Sequence, residues 1–389
     1  MSQSRVFSLI LAAALLLAAC SPKATASPTA QQPTTPIGSI LTATAAANQP
    51  PTATAPAQPP TAVPPTDTAA PAATLTATSA PAGTGLPDIS TLIYLDDRST
   101  PAAVMLSYFN AINKHSYVQA YSYYADFTNL GTLNEFTNGY SQTQSVSVVF
   151  GNISNEGAAG SIYYTVPMVL NAVTTANVHQ KFAACYILRL PQPGNYGAPP
   201  ITPMHIVRGT AQSVPLTSTD AANLAIACPQ PDFPTNPNAA PAAVESLADV
   251  SSANYIDNHS DAVALMSSYL NAINRMEYVR AYSYWQTPPA GTYDSFAAGF
   301  VGTASVTAQF GTVTPDAGAG QIYYSLPVAL TTTRTDGTTQ LSVGCALMHL
   351  AQPGFQGTVP FQPLGITSFA PVAADASADV NSLLASACH

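Results

Sequence analysis

One stretch of this chain occurs twice. Asn110-Ala111-Ile112-Asn113 returns 161 residues later as Asn271-Ala272-Ile273-Asn274, and Ala120-Tyr121-Ser122-Tyr123 returns at the same offset as Ala281-Tyr282-Ser283-Tyr284. Two such matches at one offset imply a duplicated unit, so whatever fold the sequence specifies must be built twice. Val104, Tyr108, Ala111 and Ile112 lie on one face of a helical period, and Leu265, Tyr269, Ala272 and Ile273 hold those places in the second copy. Ser99, ahead of Thr100-Pro101, is the expected N-cap. A second helix groups Tyr117, Ala120, Tyr121 and Tyr124, matched by Tyr278, Ala281, Tyr282 and Trp285. Rings at helical spacing are first of all core.

The copies then lose one residue of register, and the offset becomes 160. A third helix is expected over 132–143 and 292–303. Val146, Val148 and Phe150 alternate with polar residues as in a half-buried strand, and Val306, Ala308 and Phe310 repeat them. A glycine break leads to Ile162, Tyr164 and Val166, matched by Ile322, Tyr324 and Leu326. Apolar runs follow at 182–190 and 342–350, then at 202–211 and 362–371, and 219–228 reads as a short closing helix. The order predicts an α+β class: in each copy about three helices on one face of a curved antiparallel sheet of about four strands.

Residues 1–19 have the form of an export signal, with Arg5 before an apolar run too short to span a bilayer. It ends in Leu17-Ala18-Ala19-Cys20, which resembles the bacterial lipobox. That resemblance implies a lipid-modified Cys20, hence an exported lipoprotein anchored to the outer face of a bacterial membrane or cell surface. Residues 20–87 are rich in Pro, Thr and Ala, with Asp67 the only charge between 24 and 87. Such a stretch has too little large apolar surface to offset ordering entropy and is expected to be a disordered stalk, with hydroxyls open to O-glycosylation. The repeats are placed at 88–228 and 253–389, joined by a Pro/Ala/Asn-rich linker at 229–252. Only 7% of residues are charged, against roughly 25% in ordinary soluble domains, so Ser, Thr, Asn and Gln must cover the surface. The net charge of −9 argues against nucleic acid and against docking on anionic lipid through charge.

Setting Cys20 aside leaves four cysteines, which allow three pairings. Cys185 and Cys228 are 43 apart, as are Cys345 and Cys388, and the duplication therefore selects a bridge within each copy. The exported compartment permits it.

The duplication also tests for chemistry. None of the six histidines pairs with another at helical spacing, and no metal-binding, phosphate-loop or nucleophile-elbow motif occurs. His115 faces Met276, His205 faces Gly365, Glu135 faces Ser295 and Arg189 faces His349, so these acid–base candidates are not shared. Asp96 and Asp257 are shared, but ahead of the first helix, where a turn or helix-dipole role is expected. Asn110, Asn113 and their counterparts read as helix-end residues. Tyr163 and Tyr323 are expected on the sheet face opposite Tyr164 and Tyr324.

The run "YLNAIN…YVRAYSYW", the later "F..GF..T.SV" and the strand "YYSLP" resemble nuclear transport factor 2-like domains, over about 270 residues in the two copies. The resemblance implies two tandem cone-shaped, cystatin-like domains with a pocket between helices and sheet. In ligand-binding relatives the rings at Tyr121, Tyr124, Tyr164, Tyr282, Trp285 and Tyr324 would face that pocket, suited to a glycan or a small flat apolar ligand. No catalytic residue, cofactor or metal is assigned. The expected function is a membrane-anchored, non-catalytic binding or adhesion module. The alternatives are a SnoaL-like enzyme working in one copy only, with His205 and Asp126 as candidates, or a purely structural envelope or interaction protein.

Overall fold

Thr100, not Ser99, caps the first helix: its hydroxyl accepts from Ala103 N at 3.1 Å, and Pro101 takes a position that needs no amide hydrogen. Ser99 is committed to the other repeat. The structure, a computed structural model, describes residues 94–127, 130–228, 254–289 and 291–389. The expected signal segment, Cys20, stalk and linker lie outside these residues.

The first repeat runs α1 (Pro101–Asn113), α2 (Tyr117–Tyr121), α3 (Leu133–Gly139), β1 (Thr143–Phe150), β2 (Ser154–Ala158), β3 (Ser161–Thr174), β4 (His179–Pro191), β5 (His205–Val214) and α4 (Asp220–Ala227). The second runs α5 (Ala262–Asn274), α6 (Tyr278–Ser283), α7 (Tyr293–Ala298), β6 (Thr303–Phe310), β7 (Thr314–Gly318), β8 (Gln321–Arg334), β9 (Thr339–Ala351), β10 (Gly365–Phe369), β11 (Val372–Ala373) and α8 (Val380–Ser386). The class is α+β with two antiparallel sheets. Their orders are β1-β3-β4-β5 and β10-β9-β8-β6; β2 pairs with β3, β7 with β8 and β11 with β9.

β2 and β7 were not foreseen; the glycine break is a break within an edge. The long β3 pairs first with β2 and then with β1, and Pro167 stands opposite the gap. Gly151 N donates to Pro167 O at 2.8 Å, so the proline's missing amide hydrogen would also have faced the gap and leaves no ladder bond broken. A Cβ at Gly151 would come within 3.0 Å of the Pro167 ring, and one at Gly311 within 2.8 Å of Pro327, which is why glycine stands at both breaks.

α1 is buried almost all round, not on one stripe: Met105, Phe109 and Asn110 are as inaccessible as Val104 and Tyr108. It is packed by β1, by α2 and by the segment ahead of it. Asn113 does more than end the helix. Its Oδ1 accepts from Val146 N at 2.7 Å and its Nδ2 donates to Val146 O at 2.9 Å, so the amide stands in for a strand neighbour on β1. Asn274 does the same to Val306, its Oδ1 accepting at 2.7 Å and its Nδ2 donating at 2.9 Å.

Each repeat holds its own apolar core. In the first, Tyr108, Phe109, Tyr123, Tyr140 and Tyr186 are all fully buried where helices meet sheet. Tyr108 meets Phe109, Tyr123 and Tyr124 edge-on, with centroids 4.9, 6.3 and 6.0 Å away. Bridges Cys185–Cys228 and Cys345–Cys388 are present and tie the fourth strand of each sheet region to the closing helix.

Candidate functional site

The segment before each first helix pairs the two repeats. Arg98 N donates to Asp257 O at 2.6 Å, and His259 N donates to Asp96 O at 2.7 Å. Asp96 N donates to Ser260 Oγ and Asp257 N to Ser99 Oγ, both at 2.9 Å. Asp97 and Asn258 face each other in an antiparallel bridge. Each of these bonds has a twin with the repeats exchanged, so the two leading segments pair about a local two-fold axis.

Asp96 and Asp257 are not surface turn residues; they are buried at this junction. Tyr123 OH donates to Asp96 Oδ1 at 2.7 Å, and Tyr284 OH to Asp257 Oδ1 at 2.9 Å. Burial, with the adjacent carboxylate, keeps both phenols protonated and so able to donate. Each carboxylate also has a cation two residues on. Arg98 Nε reaches Asp96 Oδ1 at 3.3 Å while Nη1 donates to Met204 O at 3.2 Å. His259 Nε2 lies 3.4 Å from Asp257 Oδ1, and its Nδ1 is 2.7 Å from Leu364 O. Both imidazole nitrogens of His259 thus face acceptors, an arrangement that fits the imidazolium. Burial works against that charge, but the Asp257 hydrogen bond and charge outweigh it and raise the pKa. Burial likewise pushes Asp257 up, yet His259, Arg280 and Arg98 hold it well below the usual carboxylate range. Asp97, matched by a neutral Asn258, is pushed up to about 6 by burial, with Asp257 and Asp96 adding to the shift.

The second helices supply the next layer. Gln119 Nε2 donates to Leu95 O at 2.8 Å. Arg280, at the same place in the second copy, donates to Ile256 O, to Tyr284 OH at 2.9 Å and to Asn271 Oδ1 at 2.8 Å, and pairs with Glu277 at 2.6 Å. The expected stripe of Tyr117, Ala120, Tyr121 and Tyr124 is therefore incomplete. The helix is short, its buried face includes Val118 and Gln119, and Tyr117 is only half-buried.

Beside this junction lies a cleft of about 360 Å³ walled by both repeats. Tyr124, Phe127, Ile201 and Phe361 give it apolar walls, and Arg98, Asp96, His205 and His259 reach it as polar groups. Phe361 N donates to Ser122 Oγ across the repeats at 2.9 Å. His205 is buried and its Nδ1 is 2.9 Å from Pro203 O, so the proton sits there and Nε2 carries the lone pair. Burial, with Arg189 and Arg98 nearby, lowers its pKa and keeps the ring neutral. Among the described residues Nε2 has no protein partner. In the second copy Gly365 stands in its place, and a Cβ there would come within 2.6 Å of Gln286 Cγ. Gln286, matched by Ala125, donates to Pro363 O at 3.0 Å. Imidazole in one copy and amide in the other thus satisfy the same carbonyl from opposite chain positions.

Of the six rings expected at a ligand site, Tyr124 lines this cleft. Tyr121 is buried, donates to Gly131 O at 2.6 Å and stacks on Phe127 with centroids 4.7 Å apart. Tyr164 and Tyr324 are partly buried against their own cores, Tyr282 packs edge-on against Phe296 and Tyr293, and Trp285 packs on Tyr269. Asp126 is exposed and is not among the residues lining the cleft. Tyr323 is exposed on the outer face and stacks on His349 at 4.7 Å, while Arg189 lies over Tyr163 at 5.7 Å. Among the described residues no three of His, Cys, Asp and Glu gather as metal ligands.

Sequence reasoning missed Arg98, His259, Gln119 and Arg280. The signal was present: Asp96-x-Arg98-Ser99 and Asp257-x-His259-Ser260 are one pattern with a cation in the third place. Comparison of the chain with protein-family models, with curated proteins and with solved structures finds no match.

Proposed function

We propose that this chain is an exported lipoprotein, anchored through Cys20, whose two nuclear transport factor 2-like repeats form one non-catalytic binding module. The cleft between the repeats is its ligand site. The observation that carries the reading is the state of the polar groups there. The side chains of Asp96, Arg98 and His259 are already bonded to partners within their own repeats, which suits a rigid receptor better than a reacting centre. The ring-filled interior of the first repeat favours the seam between the repeats over a pocket inside that repeat. The chemistry left to a ligand is a free face of Phe127, whose other face Tyr121 covers, and the His205 Nε2 lone pair. Those fit a small hydroxylated ring, such as one sugar of a glycan.

The test is a screen of glycans and small ring compounds against the full chain, followed by Phe127→Ala. A ligand weakened about tenfold or more by that change, with thermal stability unchanged, supports the cleft. A ligand indifferent to it places the site elsewhere. Mass spectrometry of the mature N-terminus checks the anchor; an unacylated start away from Cys20 overturns it.

The neutral, partner-free Nε2 of His205 supports a second reading, an enzyme with one general base in one repeat. A turnover abolished by His205→Gln and shifted in pH profile by nearby charge changes would establish it in place of the first.

A further inference from the structure

We propose that the surface built on residues 95–99 recognises an unlike repeat, in its own chain or in a second copy of the chain, and that Asp97 bars the first repeat from pairing with itself. The argument begins with the twinned bonds. A contact about a two-fold axis is self-complementary by construction, so a repeat able to bind its neighbour carries most of what is needed to bind its own kind. Both repeats hold the full set: a carboxylate, a cation two residues on, and a serine that receives the partner's amide. The backbone bonds ask nothing of side-chain identity and would form in any pairing.

Asp97 and Asn258, facing each other across the axis, break the equivalence. Their local roles are identical. Asp97 Oδ1 accepts from Ser99 N at 2.9 Å, and Asn258 Oδ1 accepts from Ser260 N at 2.8 Å. Asp97 N and Asn258 N donate to Ser107 and Ser268 at 2.9 and 2.8 Å. Amide and carboxylate are therefore interchangeable for the turn and differ only in charge. Two first repeats would set Asp97 against Asp97, a like-charged pair directly opposite in an antiparallel bridge and flanked by the Asp96 carboxylates. A first repeat against a second sets carboxylate against amide. The same geometry is open to the second repeat of another chain, and two chains exchanging repeats would close as a dimer with every bond of the monomer kept.

Two full-length variants test this. Asn258→Asp places a carboxylate opposite Asp97 within one chain, whereas Asp97→Asn removes the charge from the first repeat. The first variant alone is expected to elute with an enlarged radius. Mixed in equal amounts with the second, it is expected to give a species of twice the chain mass containing one of each, read by native mass spectrometry. A chain carrying both changes restores one carboxylate opposite one amide. It is expected to be monomeric with the unsubstituted radius, which separates charge placement from damage to the fold. An Asn258→Asp chain of unchanged radius overturns the role of Asp97. An open variant that forms no mixed dimer overturns recognition between chains. A doubly changed chain as open as the single variant overturns both.

Discussion

The two repeats make the same junction with different side chains. In the first, a neutral Gln119 meets Leu95 O, and Arg98 is the cation beside the carboxylate. In the second, the cation beside the carboxylate is His259, and Arg280 replaces the glutamine together with Glu277 and Arg275, which is 2.8 Å from Glu277. The backbone sets the demand: two carbonyls and one carboxylate per repeat need donors at fixed places. Which residue supplies each donor is left free. Charge can therefore move between α2 and the leading segment without changing the fold, and the copies drift apart in pH response and in the cost of losing a side chain.

The largest expected effect separates Arg280 from Gln119. Arg280→Met leaves the Glu277 carboxylate buried beside a lone partner and strips Ile256 O and Asn271 of a donor. It should cost about 3–5 kcal/mol in denaturant unfolding. Gln119→Met removes one neutral bond and should cost about 1 kcal/mol. Equal costs would show that the charge on Arg280 carries no weight.

The bridges come next. Replacing Cys345 and Cys388, or Cys185 and Cys228, by Ala should each cost about 2–4 kcal/mol, since both close loops of the same length. A clear inequality between repeats would mean that one closing helix is held mainly by packing.

The exchange of Arg98 for His259 predicts an alkaline asymmetry. The folded pKa of His259 is raised above its ordinary value of 6.5, so its contribution is complete below that value and is lost as pH rises through the folded pKa. Asp257 works in the opposite sense: its depressed pKa contributes above about 3.8 and is lost as pH falls. A thermal-stability profile should therefore decline as pH rises beyond about 6.5, and His259→Arg, which restores the first-repeat cation, should flatten that decline. A profile unmoved by His259→Arg assigns the loss to another group.

The smallest effect concerns the turn between the first two helices. His115 and Met276 both sit at left-handed φ, 56° and 57°, where a side chain is strained. Glycine at either place should stabilise by about 0.5–1 kcal/mol, equally in the two repeats.

That turn also shows what the sequence could and could not tell. His115 facing Met276 reads as a lost acid–base residue, but the position is conformational and its side chain points to solvent. The helices, the strand alternation of Val146, Val148 and Phe150, and both bridges were legible because periodicity and spacing encode them. The junction was not, because periodicity says nothing about contacts between elements far apart in the chain. Asp96 and Asp257 were visible as a matched pair, yet their burial depends on a partner segment 161 residues away. The cleft was hidden for the same reason: Tyr124 and Phe361 come from different copies.

The amides of Asn113 and Asn274 have a consequence for association between molecules. β1 and β6 are the outermost strands of their sheets, and a bare outermost strand is a template on which neighbouring molecules can polymerise. By occupying both hydrogen-bonding groups of Val146 and Val306, each amide blocks the middle of that template with an atom set no incoming strand can displace without unseating the first helix. One side chain per repeat, placed where the helix ends, thereby guards one edge of each sheet against strand addition.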